Sequence, residues 1–161
     1  MIVGGAPSRS RSCKKRVSPM PHPDSPPRPF TAVIAEDEAL PAADLAAELE
    51  HHGVEVLARA RTADEAFEAT VRHAPWLVVL DIFLEGGGSG LDAARRLKAF
   101  DGRRCVFVSG RLDGATRVEV NRLEPLAVLS KPLLGSQLLD VILHLRRVGP
   151  DGAAKASPSL N

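Results

Sequence analysis

The chain has 161 residues, with 21 Lys or Arg against 20 Asp or Glu, so its formal net charge is +1. This length predicts one domain of ordinary size. The near-zero charge gives no general electrostatic reason to expect a nucleic acid or a membrane surface as the partner. The charge is unevenly distributed, because residues 1–29 hold six basic residues and one acidic residue. The remaining residues carry 15 basic and 19 acidic side chains, so the predicted folded part is mildly acidic.

The cysteines and the hydropathy of the sequence indicate in which cellular compartment the protein is expected. Cys13 lies in a polar segment and Cys105 in an apolar run, which argues against a disulfide framework or a cysteine-ligated metal. No apolar stretch approaches the roughly 20 residues needed to span a bilayer. The basic N-terminus lacks the apolar segment of a secretory signal. We expect a reduced, cytoplasmic protein without a membrane partner.

The N-terminal residues 1–29 contain seven prolines interspersed with Ser and Arg, a composition typical of disordered segments. We expect no fold before Phe30. This basic tail is either a docking arm or a dispensable extension, and Met20 offers an alternative start just before the domain.

From Phe30 onward, short apolar runs alternate with amphipathic stretches, a pattern that predicts a parallel sheet with crossover helices. Three runs are continuously apolar, as expected of strands covered on both faces. The five predicted strands are Phe30 to Ala35, Val54 to Ala60, Trp76 to Leu80, Arg104 to Val108 and Leu126 to Ser130.

The spacing of apolar residues predicts a helix after each strand. The first has Pro41 in its opening turn and Gly53 at its end. The second opens with a capping box formed by Thr62 and Glu65. Further helices are predicted at 91–100, at 115–123 and over the stripe from Leu134 to Leu145, with residues 149–161 as a second unfolded tail. The aromatic residues predicted to lie in the core are Phe67, Trp76, Phe100 and Phe107.

The functional residues are expected where the strands end, because a doubly wound sheet binds its ligand outside the carboxyl ends of its strands. Strand one is followed by Glu36-Asp37-Glu38, strand three by Asp81, and strand four by Ser109. Strand five is followed by Lys131. The predicted rim therefore combines several carboxylates, a hydroxyl and an ammonium group.

These groups predict a particular chemistry. Crowded carboxylates favour a hard cation such as Mg²⁺ with oxygen ligands. A lysine and a hydroxyl facing that cation suit a phosphoryl group. The chain has no Gly-rich phosphate loop for a nucleotide, which favours a phosphoryl group carried covalently on an aspartate.

At this point the sequence resembles the receiver domain of two-component response regulators, especially the single-domain type. The resemblance covers residues 30–148. The residues that carry it are the pair Glu36-Asp37, Asp81, Ser109 and the pair Lys131-Pro132. It implies a flavodoxin-like α/β fold, with a doubly wound five-stranded parallel sheet in the order 2-1-3-4-5.

The resemblance also implies roles for single residues. Asp81 would accept a phosphoryl group from a sensor histidine kinase or a histidine phosphotransfer protein. Lys131 would pair with phosphoryl oxygens, and Ser109 would move to contact the phosphoryl group. The Lys131-Pro132 bond is expected to be cis, as in the family. The implied Mg²⁺ ligands are Glu36, Asp37, Asp81 and the backbone carbonyl of Phe83.

The expected output is contact with a downstream protein rather than catalysis, because no DNA-binding helix-turn-helix or catalytic domain follows Val148. A homodimer formed through helix four, strand five and helix five is a further possibility. The chain departs from the family at Val128, where most receivers place an aromatic residue that moves with the hydroxyl switch. The loop 84–90 is also unusually rich in glycine.

Three alternatives remain beside this interpretation. A pseudo-receiver would use the same fold as a phosphorylation-independent binding module, which Val128 favours and the intact acidic residues oppose. A flavodoxin-like enzyme would need a Ser/Thr-rich phosphate loop after strand one. A haloacid-dehalogenase-like phosphotransferase would carry its nucleophilic aspartate at the end of strand one with a second aspartate two residues on, a spacing that Glu36-Asp37-Glu38 lacks.

Overall fold

A computed structural model describes residues 29–152, apart from residues 85, 87 and 104. Five strands and five helices alternate along the described chain, as the apolar pattern predicts. In chain order they are β1 (Thr31–Ala35), α1 (Ala39–His51), β2 (Glu55–Ala60), α2 (Ala63–His73), β3 (Leu77–Asp81), α3 (Gly90–Asp101), β4 (Val106–Ser109), α4 (Gly114–Arg122), β5 (Ala127–Ser130) and α5 (Gly135–Gly152).

The strands form one parallel sheet in the order β2-β1-β3-β4-β5, which confirms the predicted topology. Every residue of β1, β3 and β4 is buried, because helices cover both faces of these strands. β2 and β5 are the edges and are partly exposed. All five carboxyl ends therefore point to one side of the sheet.

Two apolar cores flank the sheet. One core packs α1 and α5 against side chains such as Ile34, and its buried α5 residues include Leu138 and Ile142. The other packs α2, α3 and α4 against the opposite face, with Leu80 and Phe107 at its centre. Because both faces are filled, the side chains at the carboxyl ends of the strands are reached from that end of the sheet and not from its faces.

The helix starts show both agreement with the sequence and a difference from it. Thr62 accepts a hydrogen bond from the backbone N–H of Glu65 at 3.2 Å, as expected of an N-cap. The predicted reciprocal bond is wrong, because the Glu65 carboxylate accepts from the N–H of Arg61 at 2.7 Å. A complete capping box lies instead at the start of α3, between Ser89 and Asp92.

Other boundaries differ from the predictions by one or two residues. β3 includes Asp81 and β4 includes Ser109, so both side chains belong to strand ends rather than to loops. In α5 the backbone leaves helical geometry at Gly149, and the element then extends to Gly152. The predicted tail of residues 1–29 lies outside the described residues except for its last residue, and so do residues 153–161 of the C-terminal tail.

The prediction that Phe100 belongs to the core is wrong, because its side chain is 61% exposed. It lies near the end of α3 and packs edge to face against Phe67, with ring centroids 6.0 Å apart. Phe107 is fully buried, as predicted, and Phe67 and Trp76 are partly buried against the cores. The spacing of apolar residues in α3 did not show that Phe100 lies outside the buried face of this helix.

Candidate functional site

The carboxyl ends of β1 and β3 bring three acidic residues together. Glu36 and Asp37 follow β1 directly, and Asp81 is the last residue of β3. One carboxylate oxygen from each residue lies within 4.8 Å of the others. The two strands are hydrogen-bonded neighbours, so the parallel register places their ends side by side.

Lys131 joins two of these acidic residues from the end of β5. Its Nζ donates to Asp81 Oδ2 at 2.5 Å and to Glu36 Oε2 at 2.6 Å. Glu36 is 4% exposed and Asp81 is 7% exposed, whereas Lys131 is only half-buried. The ammonium therefore offsets the repulsion between two buried carboxylates that would otherwise face each other unpaired.

The pKa shifts follow from this arrangement. Burial raises the pKa of Glu36 above its ordinary value, with further repulsion from Asp81, and the bond from Lys131 offsets part of this effect. Burial lowers the pKa of Lys131, but the hydrogen bonds to Asp81 and Glu36 outweigh it, so that pKa is raised overall. Lys131 is therefore a cation at neutral pH, whereas burial disfavours the ionised form of Glu36.

The second oxygen of Asp81 is held by its own loop. Asp81 Oδ1 accepts a hydrogen bond from the backbone N–H of Phe83 at 3.0 Å. The Phe83 side chain is exposed beside the site. The N–H of Gly90 donates to the carbonyl of Ile82, which brings the start of α3 against β3. A Cβ at Gly90 would lie 2.0 Å from the Asp81 carbonyl oxygen, so only glycine fits there.

Ser109 lies at the end of β4 but is turned toward its own loop. Its hydroxyl donates to the carbonyl of Arg111 at 2.8 Å and accepts from the Arg111 N–H at 3.3 Å. The carbonyl of Ser109 accepts a hydrogen bond from the backbone N–H of Lys131 at 2.9 Å. Among the described contacts, none joins the Ser109 hydroxyl to the carboxylates or to the Lys131 ammonium. The structure thus gathers Glu36, Asp37, Asp81 and Lys131, and it leaves Ser109 at the border of the group.

Apolar side chains are exposed on the elements that follow β4 in the chain. Val128 on the edge strand β5 is 38% exposed, and Val118 on α4 is also exposed.

The peptide bond between Lys131 and Pro132 is cis, as the resemblance implied.

The donor set fits a magnesium ion. Three carboxylates with oxygens this close are hard ligands of the kind that Mg²⁺ prefers, and Mg²⁺ keeps several waters in addition. Asp37 is only half-buried, so the cluster has a side open to solvent. The predicted fourth ligand, the Phe83 carbonyl, stays a prediction.

Comparison with known proteins identifies the family. The response regulator receiver domain family matches residues 32–143, which is more than half of the chain. The chain belongs to the response regulator receiver domain family. The match confirms the resemblance that the residues at the strand ends of this receiver domain indicated.

One curated relative of the receiver domain is the phyllosphere-induced regulator PhyR of Methylorubrum extorquens. The two are 37% identical over 112 residues, which cover 68% of this chain and 41% of PhyR. The chain therefore aligns with less than half of the length of that regulator.

Solved structures also resemble this receiver domain. The signal receiver domain of a modulated diguanylate cyclase from Desulfovibrio desulfuricans G20 is 30% identical, with a TM-score of 0.67, covering 71% of this chain and 90% of that one. The BeF₃-activated N-terminal receiver domain of RstA from Klebsiella pneumoniae is 26% identical, with a TM-score of 0.64, covering 72% and 98%.

Sequence reasoning missed the role of Gly90, which lets α3 approach the backbone of Asp81. A glycine in a Gly-rich loop carries no signal for such an approach. It also missed the double pairing of Lys131, since the sequence shows only that a lysine follows a strand.

Across the described residues, no helix combines the length and the apolar character required to span a bilayer.

Proposed function

We propose that this receiver domain accepts a phosphoryl group on Asp81 and passes the signal on by protein contact. The observation that carries the proposal is the simultaneous pairing of Lys131 with Asp81 and Glu36 inside a cluster of three carboxylates. A buried carboxylate beside an ammonium group is well placed to attack a phosphoryl group. The ammonium can form hydrogen bonds to the phosphoryl oxygens and stabilise their negative charge.

In the proposed step, a carboxylate oxygen of Asp81 forms a bond to phosphorus. The bond between phosphorus and the imidazole nitrogen of a donor phosphohistidine breaks, and its electron pair leaves with the imidazole, which takes up a proton. The donor is a sensor histidine kinase or a histidine phosphotransfer protein.

The chain's own residues would divide the work. Glu36, Asp37 and Asp81 would hold the metal, together with the carbonyl of Phe83. Bound Mg²⁺ supplies positive charge next to the phosphoryl oxygens. Lys131 would move its hydrogen bond from Asp81 to a phosphoryl oxygen. Ser109 would give up its bond to the Arg111 carbonyl and donate to another phosphoryl oxygen, which would displace the loop that leads to α4.

The proposal includes the setting of the protein. The chain acts in the cytoplasm as a signalling module and not as an enzyme with a substrate of its own. A downstream protein reads the surface of α4, β5 and α5, and a homodimer through the same surface is one form of that contact. Neither a nucleic acid nor a membrane is a direct partner.

Intact mass measured after incubation with acetyl phosphate and Mg²⁺ tests the proposal. We expect the wild type to gain one phosphoryl group and Asp81→Asn to gain none. Asp92→Asn is the matched control, because it removes an aspartate from the first turn of α3 and should leave the gain intact. Omitting Mg²⁺ should abolish the gain. A gain that survives in Asp81→Asn would contradict the proposal.

A second candidate is a pseudo-receiver that binds its partner without phosphorylation. The observation that favours it is Val128, which is 38% exposed and stands where most receivers carry an aromatic residue. Magnesium titration separates the candidates. If the chain neither binds Mg²⁺ nor gains mass, the pseudo-receiver is the better account. Magnesium binding with mass gain supports the phosphoryl acceptor.

A further inference from the structure

The helix α4 is only weakly supported by its own sequence. It has nine residues, whereas isolated helices shorter than about 12 residues are marginal in water. It begins with a glycine and contains the β-branched residues Thr116, Val118 and Val120, which lower helix propensity. Among the described residues of α4, Val120 is the one that is buried. The position of α4 therefore depends on contacts with neighbouring elements.

Two basic side chains of α3 hold α4 from one side. Arg95 Nη2 pairs with Glu119 Oε2 of α4 at 2.9 Å. Lys98 Nζ pairs with Glu124 Oε2, two residues after the end of α4, at 2.7 Å, and it donates to the backbone carbonyl of Arg122 at 3.1 Å. Arg95 and Lys98 are three residues apart and so share one face of α3. We call these contacts the α3–α4 clamp.

The backbone just after α4 gives independent support for the clamp. Glu124 has a φ of 51°, in the left-handed region where a chain leaving a helix usually places glycine. A residue other than glycine is strained there, so contacts must offset the cost of keeping a glutamate. The ion pair with Lys98 is such a contact. Lys98 also bonds the Arg122 carbonyl, one of those that a helix end leaves without an intrahelical donor.

On its other side, the clamp leads to the acidic site. Arg95 Nη1 pairs with Asp92 Oδ1 at 2.6 Å. Asp92 forms the capping box with Ser89 at the start of α3, and Gly90 packs there against the backbone of Asp81. A connected set of contacts therefore joins the segment beside Asp81 to α4, and it does not pass through the hydroxyl at the end of β4.

We infer that Arg95 and Lys98 are positioning residues that hold α4 against α3. Exposed ion pairs contribute little free energy each, but α4 has so few buried contacts that such pairs decide its local stability. α4 therefore opens when the clamp breaks, and salt favours the open form because it screens exposed charges. Arg96, between the two in sequence, pairs instead with Asp64 of α2 and has no part in the clamp.

The consequence for signalling rests on the proposed function. A phosphoryl group on Asp81 that draws the Ser109 hydroxyl away from the Arg111 carbonyl displaces the loop before α4. The clamp resists this displacement, so it sets how readily the surface of α4 changes when Asp81 is modified. The clamp itself does not depend on any reaction at Asp81.

Amide hydrogen exchange of the full chain, followed by NMR, tests the clamp. In the double variant Arg95→Met, Lys98→Met we expect the α4 amides to exchange roughly fivefold faster than in the wild type, the size that exposed ion pairs allow. Arg96→Met is the matched control, because it removes an ion pair between α3 and α2 and should leave exchange in α4 unchanged. Unchanged chemical shifts of the β3 amides would show that the variants are folded.

A conservative variant and salt separate charge from side-chain packing. Lys98→Arg keeps the cation and should exchange as the wild type does, whereas Lys98→Met alone should exchange faster in α4. Raising NaCl from about 0.02 M to about 0.5 M shortens the Debye length from about 20 Å to about 4 Å. This change should speed α4 exchange in the wild type and not in the double variant. Equal α4 exchange in the wild type and the double variant, or an equal increase in Arg96→Met, would overturn the inference.

The clamp and the proposed function fail in different ways. Faster α4 exchange in the double variant, with no phosphoryl uptake from acetyl phosphate and Mg²⁺ in any sample, would support the clamp and contradict the proposed function. Phosphoryl uptake on Asp81 in samples whose α4 exchange is insensitive to the substitutions at Arg95 and Lys98 would do the reverse.

Discussion

The two halves of the strand-end rim are built differently. On one half, the buried carboxylates of Glu36 and Asp81 are held together by Lys131, so three strands are joined at one point. On the other half, α4 contributes Val120 as its one buried residue among those described. Val118 and Val128 are exposed there, and the Ser109 hydroxyl is bonded within its own loop.

This difference separates chemistry from response. A fully paired buried network resists rearrangement, because each broken contact leaves a charge without a partner. A short helix with few buried contacts changes position at small cost in free energy. Substitutions on the acidic half should therefore affect stability and metal binding strongly, whereas those on the α4 half should affect stability little.

The largest effect is expected from Gly90→Ala. The new Cβ would meet the Asp81 carbonyl oxygen at 2.0 Å, so α3 or β3 must shift. We expect the free energy of unfolding to fall by about 3 kcal/mol, together with weaker Mg²⁺ binding. Urea unfolding and magnesium titration measure both. Gly114→Ala, in the first turn of α4, should instead stabilise by about 0.5 kcal/mol, because no packed neighbour among the described residues lies within 4 Å of the new Cβ. Equal effects of the two substitutions would contradict the proposed difference.

Lys131→Met should have the next largest effect. It leaves Glu36 and Asp81 facing each other without a cation. Because Lys131 is only half-buried, we expect a loss of about 2 kcal/mol of stability in EDTA, the size typical of hydrogen bonds to charged groups. Added Mg²⁺ should restore most of this loss, because the metal supplies the missing positive charge. Thermal unfolding with and without Mg²⁺ makes the comparison. A loss that Mg²⁺ does not reduce would show that the carboxylates do not bind it.

Asp92→Ala should have a smaller effect that depends on pH. The backbone N–H of Ser89 holds the pKa of Asp92 below its ordinary value of 3.8. The carboxylate therefore stabilises the fold above pH 3.8, and this contribution is lost as the pH falls through the lowered pKa. We expect a cost of about 1 kcal/mol at pH 7, shrinking toward pH 3. A cost that is constant with pH would contradict this.

Val128→Ala should have the smallest effect. The side chain is partly exposed on the edge strand, so the change in stability should stay below about 0.5 kcal/mol. Phosphoryl uptake should be unchanged, because Val128 lies on the edge strand β5 and is not part of the cluster of Glu36, Asp37 and Asp81. A large loss of uptake would show that the α4 half contributes to the chemistry directly.

The sequence predicted the fold well where the signal was local. Short apolar runs, three of them continuous, predicted five strands, and the order of the strands followed from the family resemblance. It predicted less well where tertiary contacts decide. Phe100 shares the apolar spacing of α3, but its position at the edge of the α2–α3 contact leaves it exposed.

The site was predictable as a set of residues and not as a network. Side chains at the ends of parallel strands must meet at one rim, which gathered Glu36, Asp37, Asp81 and Lys131. Whether Lys131 pairs with one carboxylate or two depends on side-chain geometry that no sequence pattern specifies. The same is true of Ser109, whose hydroxyl is turned toward Arg111.

The central claim is that Asp81 carries the phosphoryl group, and chemical trapping tests it most directly. After incubation with acetyl phosphate and Mg²⁺, borohydride reduces an acyl phosphate to an alcohol, which converts the modified aspartate to homoserine. Peptide mass spectrometry then locates the change. We predict homoserine at position 81 and nowhere else. Homoserine at position 37, or no conversion in a sample that binds Mg²⁺ and gains phosphoryl mass, would contradict the account.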